Sequence, residues 1–175
     1  MEAWVYIVGI IVVLLGFSVF FGAPYVPSQR RYIKRAFTHL YPLSKKDVLI
    51  DVGSGDGVVL RVARKFGAKA VGYEINPALY GISRWLSRRD KGVEVRLVNF
   101  WLEKIPDDTT VIYAFAVERD SRRLQRKVQT EANRLQRPLT ILLFGSPFKD
   151  RKAEKQFEAY HLYTFRPLQQ KSLTV

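Results

Sequence analysis

An apolar run, Val48 to Ile50, climbs to an acidic residue, Asp51, and then breaks into glycine at alternate positions, Gly53, Gly55 and Gly57, before a helical pattern starts at Val58. This is a strand, a tight turn and a helix N-terminus. Glycines in such a turn let the backbone pass where a Cβ would collide with a ligand, and the free N–H groups of the first helical turn face the same spot. A second strand follows and ends on another acid, Glu74. The pattern predicts an open α/β sheet with a ligand at the carboxyl end of its first strand. A dinucleotide fingerprint would need glycine at 53, 55 and 58, and position 58 is valine.

The rest of the chain alternates in the same way. Ser28 is a candidate N-cap for a helix through Leu40, with Tyr32, Ile33, Ala36, Phe37 and Leu40 on one face and Pro42 ending it. Strands are expected at Val48–Val52, Lys69–Ile75, Val93–Val98, Thr109–Ala116 and Pro138–Phe144. Helices are expected at Val58–Phe66, Ala78–Arg89 and Ser121–Leu135, the second with an inner face of Leu79, Ile82, Trp85 and Leu86. A last strand, Tyr160–Phe165, is expected antiparallel at the sheet edge. Strands alternating with helices imply a Rossmann-like, doubly wound, mostly parallel sheet.

Ahead of this lies Ala3 to Phe21 without one charged side chain. At about 1.5 Å per residue it just spans a bilayer core of about 30 Å, which makes it a candidate transmembrane helix. Glu2 before it and Phe20–Phe21 closing it do not fit a cleaved signal peptide. The organisation expected is therefore a transmembrane helix over 1–22, a linker with an amphipathic helix over 23–47 and one α/β domain over 48–175. Arg30, Arg31, Lys34 and Arg35 follow the apolar run, so the positive-inside rule puts the N-terminus outside and the domain on the cytoplasmic side, or the matrix side in a mitochondrion. The formal net charge of +13 suits an anionic lipid surface or a nucleic acid. With no cysteine, disulfide and thiolate chemistry are excluded, and two histidines far apart give no metal site.

The sequence Asp-Val-Gly-Ser-Gly-Asp-Gly, followed by a strand ending in Glu74, resembles the glycine motif and the following acidic position of class I S-adenosylmethionine-dependent methyltransferases. The resemblance implies a cofactor site of Asp51, Gly53, Ser54, Gly55, Asp56 and Gly57 with Glu74, Ile75 and Asn76. In it Glu74 holds the two ribose hydroxyls, Asp51 lies near the methionyl ammonium, and Ile75 and Phe100 flank the adenine. Such enzymes commonly carry an acid after the third strand; this chain has Asn99, whose amide carbonyl accepts the same bond.

Gly22 to Gln29 (GAPYVPSQ), the glycine turn and Gly72 to Pro77 (GYEINP) narrow the likeness. They are similar to the membrane-anchored protein-lysine methyltransferases that modify the mitochondrial ATP synthase c-subunit and the adenine nucleotide translocase, and to their prokaryotic relatives. The likeness runs from about residue 3 to 165, with departures at Val58, Asn99 and Ala116. It implies a lysine of a membrane protein as substrate. Tyr25, Pro27 and Ser28 are the residues expected to line the acceptor slot, by cation–π contact and hydrogen bonding; no catalytic acid or base stands out. Lipid, quinone and nucleic-acid methylation at the membrane stay open, as does a noncatalytic cofactor-binding scaffold. Against nucleic acid, the end of strand four lacks the Asp/Asn-Pro-Pro-aromatic grip of amino-methylating DNA enzymes.

Overall fold

The computed structural model describes residues 4–6, 8–9 and 29–168. Most of the expected membrane span, and with it Tyr25, Pro27 and Ser28, lies outside them. Among the described residues no helix is long and apolar enough to cross a membrane.

Within residues 29–168 the elements are, in chain order, α1 (Arg30–His39), β1 (Val48–Val52), α2 (Val58–Lys65), β2 (Lys69–Glu74), α3 (Pro77–Ser87), β3 (Val93–Leu97), β4 (Val111–Ala116), a 3-10 turn (Glu118–Asp120), α4 (Ser121–Leu135), β5 (Leu139–Gly145), β6 (Lys155–Phe157) and β7 (Tyr160–Phe165). They build one seven-stranded sheet in the order β3-β2-β1-β4-β5-β7-β6. The first five are parallel, and β7 runs antiparallel to both β5 and β6. The chain steps outward from β1 to β3 and then returns to lay β4 on the other side of β1. A crevice therefore opens at the carboxyl ends of β1 and β4, where the crossovers part.

Helices cover both faces. α1 and α2 pack on Leu49, Ala70, Val111, Tyr113, Leu142 and Tyr160, whereas Ile50, Val71, Ile112, Leu139, Ile141 and Tyr163 meet α4 on the other side. In α1, Ile33, Ala36 and Phe37 are buried, and the Phe37 ring meets Phe66 and Tyr113 edge-on at 6.0 and 6.2 Å. Asp47 ties the exit of α1 to the sheet: its carboxylate accepts from Tyr41 Oη (2.7 Å), Ser44 N and Oγ (both 2.8 Å) and Thr110 Oγ1 (2.9 Å). Burial works against its ionisation, yet these bonds hold the Asp47 carboxyl below its ordinary range, while burial first and Asp47 second push the Tyr41 hydroxyl up to about 12.

Two expectations are corrected. Tyr160–Phe165 is not the edge strand; β6 lies outside it. β6 is three residues long, with only Phe157 partly buried, so it offers no alternation to read. In α3 the buried residues are Ser83 and Ser87, while Ile82, Trp85 and Leu86 point outward. The cause is the glycine turn, which passes so close that a Cβ on Gly57 would lie 2.2 Å from Ser83 Oγ. Only a small residue fits beneath it.

Candidate active site

The turn after β1 is shaped by what its backbone must satisfy. Gly53, Gly55 and Gly57 all have positive φ, at 69°, 55° and 78°. Gly53 N–H and Ser54 N–H both donate to Tyr73 O, at 2.9 and 3.1 Å, and Gly57 N–H donates to Ser54 O at 2.8 Å. Gly55 N–H donates to the Glu74 carboxylate, at 2.8 Å from Oε2. The other oxygen, Glu74 Oε1, accepts from Ile75 N–H (2.9 Å) and Asn76 N–H (2.8 Å). The acid that ends β2 is thus the anchor of the turn that ends β1. It is 5% exposed, and three backbone donors cover part of its accepting capacity.

Asp51 stands level with Gly72 on one side and Tyr113 on the other. Its carboxylate is 2% exposed and Oδ2 has no hydrogen-bond partner. Burial, then the charge of Glu74, then that of Asp56 push this carboxyl well above the ordinary range of an aspartate. A buried, unpartnered carboxylate oxygen is costly, and a cation brought to it would supply the missing partner. The methionyl ammonium of S-adenosylmethionine is such a cation, so the residues present fit that group.

The other residues expected in the site are placed as follows. Asp56 Oδ1 accepts from Val58 N–H (3.1 Å) and Oδ2 takes Arg61 (3.1 Å), so its side chain is engaged at the start of α2, where free N–H groups were expected. Ser54 is buried with its hydroxyl turned toward Gly72, whose missing Cβ would lie 2.5 Å from Oγ. Asn76 is the N-cap of α3; Oδ1 accepts from Ala78 N–H (2.9 Å) and Leu79 N–H (3.2 Å). Ile75 is exposed at the rim. Asn99 Oδ1 accepts from Trp101 N–H at 3.1 Å, which leaves the carbonyl one lone pair. Phe100 is buried against Tyr73 and Trp101, with ring centroids at 6.3 and 5.4 Å.

A further group was not read from the sequence. In a parallel register side chains at one level share a face, so Asp51 and Tyr113 point the same way, and Phe115, two residues on, joins them. Phe115, Phe144 and Tyr160 then form a row across β4, β5 and β7, with ring centroids 5.7 and 4.8 Å apart. Phe115 and Phe144 are only partly buried. Gly145, at φ 102°, lets β5 end against this row: a Cβ there would lie 2.8 Å from Ala116 O and 3.2 Å from the Phe115 ring. The signal was present in the alternation of Tyr113 with Phe115 and of Leu142 with Phe144, but such alternation also reads as plain core. The row lies beside Asp51 at the open carboxyl end of the sheet, and α1 rises toward the same end, since Arg35 pairs with Glu158 (2.8 Å) in the β6–β7 turn beside Gly145.

Known proteins similar to this chain are methyltransferases. A curated relative, the ATP synthase c-subunit lysine N-methyltransferase of Xenopus laevis, is 33% identical over 129 residues, 71% of this chain and 54% of that protein. The adenine nucleotide translocase lysine N-methyltransferase of Mus musculus is 37% identical over 62 residues, covering 35% of this chain and 26% of its own. The chain spans about half the length, or less, of these two relatives. Among solved structures, an RNA methyltransferase from Salinibacter ruber in complex with S-adenosyl-L-homocysteine superposes with a TM-score of 0.71 at 23% identity, over 84% of this chain and 97% of that one, a likeness of fold. Matched over residues 26–167, from ahead of α1 to beyond the last strand, this chain belongs to the methyltransferase domain family.

Proposed function

We propose that the protein is a membrane-anchored, S-adenosylmethionine-dependent N-methyltransferase that acts on a lysine of a membrane protein. The observation that carries this reading is the shared face of Asp51, Tyr113, Phe115 and Phe144, which sets an anionic cofactor end beside an aromatic shelf. S-adenosylmethionine supplies, when bound, a methyl group on a sulfonium. Asp51 Oδ2 would take the ammonium, the one lone pair left on Glu74 Oε2 would take a ribose hydroxyl, and Ile75 and Asn99 would border the adenine. The shelf receives the acceptor side chain. Its aromatic faces attract an alkylammonium, and its low polarity favours the neutral amine that a lysine of reference pKa about 10.4 must present. Amine methylation is then a matter of alignment, because a thioether leaves without an acid.

Support for the lysine comes from the relatives, whose names specify lysines of the ATP synthase c-subunit and of the adenine nucleotide translocase. Support for the anchor comes from the apolar residues 3–21 and the cations that follow. The segment 22–29 extends at most ~29 Å, so a domain tethered there works near the headgroups, on the cytoplasmic or matrix side. Tyr25, Pro27 and Ser28 belong to that segment, and we assign them to the acceptor side of the site on the sequence alone.

Incubating native membranes and the purified full chain with methyl-labelled cofactor, then separating protein, lipid and nucleic acid, tests the reading. Label is expected on lysine of a membrane protein. Label in lipid, quinone or RNA would overturn the lysine and leave methyl transfer standing.

A further inference from the structure

The outward face of α3 is unlike the surface around it. Ile82, Trp85 and Leu86 are 47%, 61% and 38% exposed, and they lie at three- and four-residue spacing, so they form one stripe along the helix. Leu97 of the edge strand β3, against which α3 packs, is exposed as well. Cations surround the stripe: Arg84, Arg88, Arg89 and Lys91, with Asp90 the one carboxylate from residue 77 to 91. Among the described residues none of these four cations forms an ion pair with a carboxylate. Arg88 lies over the Trp85 ring, 4.7 Å from its centroid, and donates to Trp85 O at 2.7 Å, so the indole and the guanidinium are presented together.

A water-facing helix ordinarily turns such residues inward. Here the inner face carries Ser83 and Ser87, the first kept small by the close passage of Gly57, and Ile82, Trp85 and Leu86 lie outside. From this we infer that α3 docks on an anionic lipid surface, its Ile82–Trp85–Leu86 stripe entering the headgroup region and its cations meeting lipid phosphates. The chemistry matches an interfacial helix: a short apolar stripe, a tryptophan at its centre and basic residues on its flanks. A second copy of this chain fits less well, because a symmetric contact would bring like cations together. The inference rests on the membrane-anchored reading above and adds a second point of attachment. With α1 tethered at the carboxyl end of the sheet and α3 on the β3 flank, the domain has one orientation toward the bilayer instead of a swivel.

The test reads Trp85 directly, because the apolar N-terminal run would bind vesicles on its own. The full chain carrying W4F and W101F is reconstituted into phosphatidylcholine–phosphatidylglycerol vesicles, with and without brominated acyl chains. Trp85 emission is expected to fall to about half in the brominated vesicles, as for an indole at the headgroup–acyl boundary. The fall is expected to be smaller in phosphatidylcholine alone and in the further variant R88E/R89E. Emission that ignores bromine, in protein that still binds S-adenosylhomocysteine by calorimetry, would overturn the docking face and leave the methyltransferase reading intact. Disulfide formation between copies through Ile82→Cys, faster in vesicles than through an exposed cysteine placed at Lys152, would also overturn it.

Discussion

Glu74→Gln separates the two roles of the strand-end acid. The substitution preserves size, and the amide oxygen can still accept from Ile75 N–H and Asn76 N–H. The amide nitrogen then faces Gly55 N–H, so a charge-assisted bond of 2.8 Å becomes two opposed donors. A hydrogen bond to a charged group is worth about 1.5 to 3 kcal/mol, and that is the expected loss of stability from this contact alone. Part returns, because removing the Glu74 charge relieves the buried Asp51, for which Glu74 is the second cause of the upward shift. The net expectation is about 1 to 2 kcal/mol, a fall in melting temperature of roughly 2 to 8 °C for a domain of this size. Cofactor affinity should fall further, since the acceptor for one ribose hydroxyl is lost too. Thermal melts with and without S-adenosylhomocysteine, alongside calorimetry, give both numbers. An unchanged melting temperature would refute the anchor role, and unchanged affinity in a destabilised protein would refute the ribose role.

Other outcomes follow from the same geometry. Asp51 is shifted upward, so its contribution to stability is fully present below the ordinary aspartate value of 3.8 and is lost as pH rises toward the raised value; Asp51→Asn should therefore melt higher than wild type at neutral pH. Cofactor affinity should rise with pH as this carboxyl ionises and then level off, and calorimetry across pH should find that slope absent in Asp51→Asn. Gly57→Ala should destabilise by more than the ~1–2 kcal/mol of a left-handed residue, and adding Ser83→Ala should return the excess by removing the 2.2 Å contact, as read by denaturant titration. Phe115→Ala should lower the rate of methyl transfer far more than cofactor affinity, and Tyr25→Ala the same; equal losses in both would move these residues to the cofactor side.

The cofactor end of the molecule was legible because its constraints are local. An acid, alternate glycines and a strand-ending Glu74 stand within one βαβ unit, and each carries a backbone or hydrogen-bonding reason for its identity. The bond from Gly55 to Glu74 joins two strand ends across the sheet, and no periodicity announces it. The apolar residues of α3 were read as an inner face because a 3.6-residue pattern reports that side chains share a side, not which side is covered. What reversed the reading was the tight passage of Gly57 over Ser83, a tertiary fact. β6 was missed for want of length, and the row of Phe115, Phe144 and Tyr160 because it is assembled from three strands far apart in the chain. Helix α4, by contrast, begins and ends where its basic, amphipathic pattern does, at Ser121 and Leu135.

The unpartnered oxygen of Asp51 has a consequence for regulation. In the roles proposed, Asp51 and Glu74 recognise an ammonium and a ribose, and the methylated donor and its demethylated product carry both. The hydrogen bonds of the two carboxylates are the same with either, and the sulfonium charge of the donor is what separates it from the product. Product then competes for the same site through the same bonds. Under the proposed roles, flux would follow the ratio of donor to product in the compartment as well as the amount of donor.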